Sequence, residues 1–183
     1  MIARLTKLPS RRIFSILSSL IIVFTLNSCG DYRSEETCGD SIAVGDKGRF
    51  EVDKDGFAKD TESGVVWYRC AAGQQYSNFR CKGEILYLSW DEAIDYAAEF
   101  SEKSGITWRL PTDNEMQSVT EDACVAPAIN HNAFPSIAVE NHWTSSKGLH
   151  QDIFRCAVNT YSGRLSCRQP RDVGQPFMLV RED

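Results

Sequence analysis

The chain of 183 residues lacks several features that would narrow its function quickly. Its N-terminal apolar stretch, Ile13 to Leu26, has 14 residues, short of the roughly 20 a spanning helix needs. No acid precedes residue 29, so that end carries positive charge alone. A glycine-rich phosphate loop following a strand is absent, and Ser145-Ser146 has no nucleophile-elbow context, so neither a nucleotide site nor a hydrolase is indicated. There are only three histidines, His131, His142 and His150, and none stands three or four residues from another on an expected helix. No recognisable metal site is expected from them. Internal repeats and low-complexity tracts are also missing, which excludes a solenoid and a disordered chain.

What is present at the N-terminus sets the compartment. Arg4, Lys7, Arg11 and Arg12 precede the apolar stretch, the arrangement of an export signal over residues 1–28. Leu26-Asn27-Ser28-Cys29-Gly30 resembles a bacterial lipobox. The resemblance implies that Cys29 is acylated, as with palmitate, and becomes the first residue of the mature chain, anchoring it to a membrane. Gly30 in place of Asp after Cys29 favours the outer membrane. Ser10-Arg11-Arg12-Ile13-Phe14 also matches the start of a twin-arginine motif, but a strongly apolar segment and several disulfides favour export of an unfolded chain. Without its first 28 residues the chain holds 16 basic against 25 acidic residues. That balance argues against nucleic acid as a partner.

Seven cysteines make an odd count for an exported protein, and lipidation of Cys29 makes it even. Cys38, Cys70, Cys81, Cys124, Cys156 and Cys167 then read as three bridges in an oxidising compartment, with connectivity open in principle. Positions 156 and 167 are symmetric about Tyr161-Ser162, so a hairpin there sets them opposite each other. Cys70 and Cys81 repeat that spacing around Gly73, which leaves Cys38 with Cys124.

Along the chain, residues 29–48 are polar and glycine-containing and read as a tether. From residue 49 short strands are expected at 49–52, 57–59 and 65–69, separated by turns Asp53-Lys54-Asp55-Gly56 and Thr61-Glu62-Ser63-Gly64. The acidic first turn misses the EF-hand spacing and is read as a turn alone. Ser89-Trp90-Asp91-Glu92 and Thr112-Asp113-Asn114-Glu115 are capping boxes, each opening a helix. Gly105 marks the stop of the first, and Pro111 ends the strand 107–110 before the second. A strand at His142 to Ser146, a hairpin over 153–168 and a closing strand at 177–181 follow. The fold class is α+β: one domain of short antiparallel strands with two helices, braced by disulfides.

Asp60 with Gly64 and Trp67, Ser89-Trp90 with Ala93, Trp108-Arg109-Leu110-Pro111-Thr112 with Glu115, Ile129-Asn130, Phe134-Pro135, Trp143 with Ser145-Ser146, and Leu179-Val180-Arg181 form an ordered set. That set resembles the Lcl C-terminal domain family and covers 49–183. The resemblance implies a C-type-lectin-like fold, related to formylglycine-generating enzymes, with Trp67, Trp90, Trp108 and Trp143 as core and corner residues. It also implies a binding or adhesion role, since the namesake domain is associated with sulfated glycans.

An oxidase on that scaffold would need a reactive late cysteine, and Cys156 and Cys167 are better accounted for as a bridge. No catalytic residue, cofactor or metal is therefore expected. From Trp143 onward six basic residues (Lys147, Arg155, Arg164, Arg168, Arg171 and Arg181) face four acids. Lys147, Arg155, Arg164, Arg168 and Arg171 are the candidate contacts for an anionic glycan or an envelope protein, because arginine pairs with planar oxyanions through two hydrogen bonds. Solvated strand-edge cations are the plainer account of the same count, and a purely structural envelope role is the third reading.

Overall fold

The computed structural model describes residues 35–182. The signal segment, the twin-arginine match and Cys29 lie outside the described residues. The elements begin with α1 (Cys38–Ser41), β1 (Phe50–Val52), β2 (Phe57–Asp60), β3 (Val66–Tyr68), β4 (Gln75–Ser77) and β5 (Arg80–Lys82). They continue with α2 (Trp90–Ser104), β6 (Trp108–Arg109), α3 (Asp113–Ser118), β7 (Asn141–Lys147), β8 (Phe154–Asn159), β9 (Arg164–Pro170) and β10 (Val180–Arg181). This is an α+β domain of short antiparallel strands, in which the two expected helices are joined by the one-turn α1.

The first three strands form a meander because both intervening turns satisfy their own backbone. Asp53 Oδ1 accepts from the N–H groups of Asp55 and Phe57. Its carboxylate is thus engaged in the turn, as an Asx-turn requires. Gly56 has φ +94°, and a Cβ there would stand 2.6 Å from Tyr76, so only glycine fits. The main sheet has the order β1-β2-β3-β10-β6, with Val180 paired to Trp67 on one side and Arg109 on the other.

Alternation along Phe177-Met178-Leu179-Val180 gives that sheet a core on each face. Phe177 and Leu179 cluster with Tyr68, Trp108, Trp143, Ala157 and the buried face of α2, Ala93 and Ala97. Met178 and Val180 cluster with Trp67, Met116 of α3, Ile129 and Phe134. Each such fully buried large side chain contributes about 1.5–3 kcal/mol relative to exposure. A second sheet, β7-β8-β9, feeds both clusters through adjacent residues, Ala157 into one and Val158 into the other. Trp67, Trp108 and Trp143 are buried and Trp90 is half-buried, as corner residues should be.

Both capping boxes form with reciprocal bonds, Ser89 with Glu92 and Thr112 with Glu115. Gly105 ends α2 in the left-handed region at φ 69°. The outer edge of β6 is closed by that helix, since the Trp108 N–H donates to the Ser101 hydroxyl at 2.7 Å. An open strand edge is a site for unwanted pairing, and this one is covered.

The Trp-Arg-Leu-Pro-Thr corner is architectural. Arg109 donates to both oxygens of Glu115, each at 2.8 Å, while Glu115 Oε2 also accepts from Thr112 N–H at 2.7 Å. The Ser145 N–H donates to the Pro111 carbonyl at 2.7 Å, fixing the corner to β7. The Arg109 hydrogen bond holds the Glu115 carboxyl well below the usual carboxylate range, at about 2, against the opposing effect of burial. Glu115→Gln keeps the cap and loses the charge, so at neutral pH it is expected to cost about 1–2 kcal/mol by urea unfolding. A loss under a few tenths would show the pair to be ornamental.

The three bridges join Cys38 to Cys124, Cys70 to Cys81 and Cys156 to Cys167. The β8–β9 register pairs Ala157 with Ser166 and Val158 with Leu165, which sets 156 against 167 as the hairpin symmetry requires. Residues 35–48, the described part of the tether, are seated on the domain. Cys38 is buried, its N–H donates to the Val125 carbonyl, and the Asn132 side chain bonds to Ala43, Gly45 and Asp46.

Candidate functional site

The second sheet carries four of the basic residues singled out from the sequence, with Arg171 directly after β9, and their surroundings divide them. Arg155 is 5% exposed and its guanidinium lies 4.3 Å from the Trp90 ring centroid. It donates to the carbonyls of Gln151 and Phe154. Arg155 is therefore a packing residue and not a surface contact, a correction to the sequence reading. It sits in a strand whose four central residues are all buried, so the helix that starts at Trp90 covers it. Arg171 is committed to Asp91, which pushes its guanidinium pKa up through their hydrogen bond.

Lys147, Arg164 and Arg168 are exposed and have no acidic partner within ion-pair distance among the described residues. Lys147 and Arg168 are brought to one end of the sheet. A Cβ on Gly148 would stand 2.3 Å from the Cys167 carbonyl oxygen, so the residues next to Lys147 and Arg168 touch. Register shifts lie on both sides of that approach, between Trp143 and Lys147 in β7 and, through an extra residue in β9, opposite Cys156. Arg164 stands four residues back along β9, about 13 Å away.

One grouping of ligand-type side chains occurs among the described residues: Asp113 with Cys156 and Cys167, their ligand atoms within 4.8 Å of one another. The two sulfurs are bonded to each other, so neither is a thiolate ligand or nucleophile in this state. The Asp113 carboxylate accepts from the Ser146 hydroxyl at 2.9 Å. None of the histidines enters such a grouping. His142 is fully buried, with Nδ1 3.2 Å from the Glu140 carbonyl and Nε2 without a partner. Burial pushes it down to about 4, so it is neutral across the ordinary range.

Two surface clefts flank α2. One, of about 320 Å³, lies between the Gly73–Gln75 loop and the Tyr96–Lys103 stretch of the helix. The other, about 390 Å³ and more apolar, lies over Ile94, Trp108 and Leu110. Sequence reasoning missed both, because each arises from how α2 packs, on the Gly73–Gln75 segment in the first and on the β6 segment and Ser145 in the second. It also missed Arg69, which is 5% exposed and has no acid within ion-pair distance among the described residues. Arg69 donates to the carbonyls of Ala133 and Asn132 and to the Tyr76 hydroxyl. Its place in Trp67-Tyr68-Arg69-Cys70, a cation inside an apolar run, was the available signal.

The model of the Lcl C-terminal domain family matches residues 56–181, well over half of the chain, and the chain belongs to that family. No curated protein and no solved structure matches it.

Proposed function

We propose that this is a non-catalytic binding module on an exported lipoprotein, held at the bacterial outer membrane by acyl chains on Cys29 and facing an anionic partner in the envelope or beyond it. The observation that carries the export half of this reading is the pairing of all six cysteines after Cys29 into three bridges. Such a set is the usual mark of an oxidising compartment and supports that reading. The binding half rests on Lys147 and Arg168, exposed cations at the same end of a disulfide-braced sheet. Sulfate and carboxylate groups of an anionic glycan fit them by charge, and arginine adds bidentate geometry. The likeness to the C-type-lectin fold belongs to the same proposal. An oxidase reading is disfavoured by the Cys156–Cys167 bond, which occupies the late thiols that chemistry would use.

The test is retention of the full chain on a dextran-sulfate column in a salt gradient. Lys147→Gln with Arg168→Gln should weaken binding by about 1 kcal/mol, roughly fivefold, and lower the eluting salt concentration. Arg171→Gln, which removes a cation already paired to Asp91, serves as the comparison and should elute close to the parent. Equal elution of the double variant and the parent would sink the anionic-ligand reading.

A further inference from the structure

The place where the described chain is first fixed decides which end of the domain lies nearest a membrane. The Val125 N–H donates to the Glu36 carbonyl and the Cys38 N–H to the Val125 carbonyl, with the Cys38–Cys124 bridge beside them. From Cys29 to Glu36 there are seven residues, a span of at most about 25 Å even when fully extended. The headgroup layer that the leash must cross is itself about 5–7 Å deep. A domain of this size has a radius of gyration of about 15 Å, so the leash cannot lift it by its own width.

The β8–β9 turn lies beside that fixed point. The Ala126 N–H donates to the Tyr161 carbonyl at 3.0 Å and the Ala128 N–H to Thr160 at 2.6 Å. Gly163 packs against Thr120, where a Cβ would be 2.6 Å from its hydroxyl. The turn presents Tyr161, 50% exposed, Leu165, 37% exposed, and the exposed Arg164. The adjoining segments, fixed at Val125 and Cys124, carry the exposed acids Glu36, Asp40 and Asp122.

We propose that this end, formed by Tyr161, Arg164 and Leu165 beside the Val125 segment, is a membrane-facing surface that rests on zwitterionic phospholipid headgroups. The inference depends on acylation of Cys29 and adds an orientation to it. Tyrosine has an apolar ring and a polar tip, which suits the depth of the headgroups. Arg164 matches the planar oxygens of a phosphodiester. The neighbouring acids pair with ethanolamine ammonium groups and make entry into hydrocarbon too costly, so contact stops at the headgroups. Arg164 then belongs to the membrane side, and Lys147 with Arg168 remain for a soluble ligand.

The experiment uses the full chain, processed in a bacterial host and placed in vesicles of phosphatidylethanolamine with a minor share of phosphatidylglycerol. Tyr161→Trp and Ile153→Trp report the two ends of β8, about 20 Å apart. Both positions are at least half exposed, so folding is little affected. The emission each variant adds to the parent is compared in vesicles whose lipids carry bromine close to the headgroup. Quenching at position 161 with none at 153 is expected. An acylated mass with equal quenching at both positions, or none at 161, overturns the orientation and leaves the lipoprotein reading intact. An intact mass without acyl groups removes the lipoprotein reading and this inference together.

Discussion

Replacing Cys38 and Cys124 together with alanine will cost the domain about 4–5 kcal/mol, whereas removing either of the other bridges will cost about 3 kcal/mol. The difference lies in the unfolded chain. The Cys38–Cys124 bridge spans 86 residues, against 11 for each hairpin bridge, and loop-closure entropy grows with the logarithm of loop length. Domains of this size have about 5–15 kcal/mol in all, so the long bridge is the one whose loss threatens folding at growth temperature. Urea unfolding of the three double-alanine variants decides it. Equal losses from the three would mean that native-state contacts, and not chain entropy, set the value of the bridges.

Acid will unfold the domain through His142 before it does so through carboxylates. His142 sits near 4 in the fold, displaced downward by burial, with its Nδ1 bond to the Glu140 carbonyl opposing that displacement weakly. In the unfolded chain the same imidazole titrates near 6.5. Between those two values the unfolded state holds a proton that the folded state does not, so falling pH favours unfolding. The stabilising contribution is complete above pH 6.5 and lost by about pH 4. It amounts to about 3 kcal/mol. Protonation would add a donor at Nε2, a buried nitrogen with no partner to accept it. Urea midpoints taken down that range should fall in the parent and stay nearly level in His142→Gln. Parallel curves for the two would remove His142 from the account. Glu115 acts in a lower window, its stabilisation present above 4.5 and lost as pH falls towards 2, so the two titrations can be separated.

Several elements were legible from the sequence because the information was local. The two capping boxes name their own partners three residues apart, and both formed. The Cys156–Cys167 pairing follows from strand symmetry about Tyr161-Ser162, which register alone enforces. The Asp53–Gly56 turn announced itself by an aspartate and a glycine in positions that turns require. What escaped was either non-local or chemically unusual. The β4–β5 hairpin turns at Asn78-Phe79 with both residues at positive φ, a geometry normally signalled by glycine. Helix α1 is too short to show periodicity and is held by the distant Val125 and by the bridge to Cys124. The candidate site was the least legible part. A count of six basic residues gives each an equal claim, yet Arg155 lies beneath Trp90 and Arg171 is joined to Asp91, contacts reaching 65 and 80 residues along the chain. Charge has a place in sequence but acquires a surface only through packing.

The position of β10 has a consequence for how the protein is made. It is the latest of the described strands in the chain, yet it lies between β3 and β6 and not at an edge. Its approach, Phe177 to Val180, supplies side chains to both cores. A chain that emerges N-terminus first, from the ribosome or in the proposed export, therefore holds an unfinished sheet, with β3 and β6 unjoined, until the residues around 180 emerge. Folding of the main sheet waits on those residues, and a product cut short before them keeps two unpaired strand edges and two half-covered cores for proteases to find.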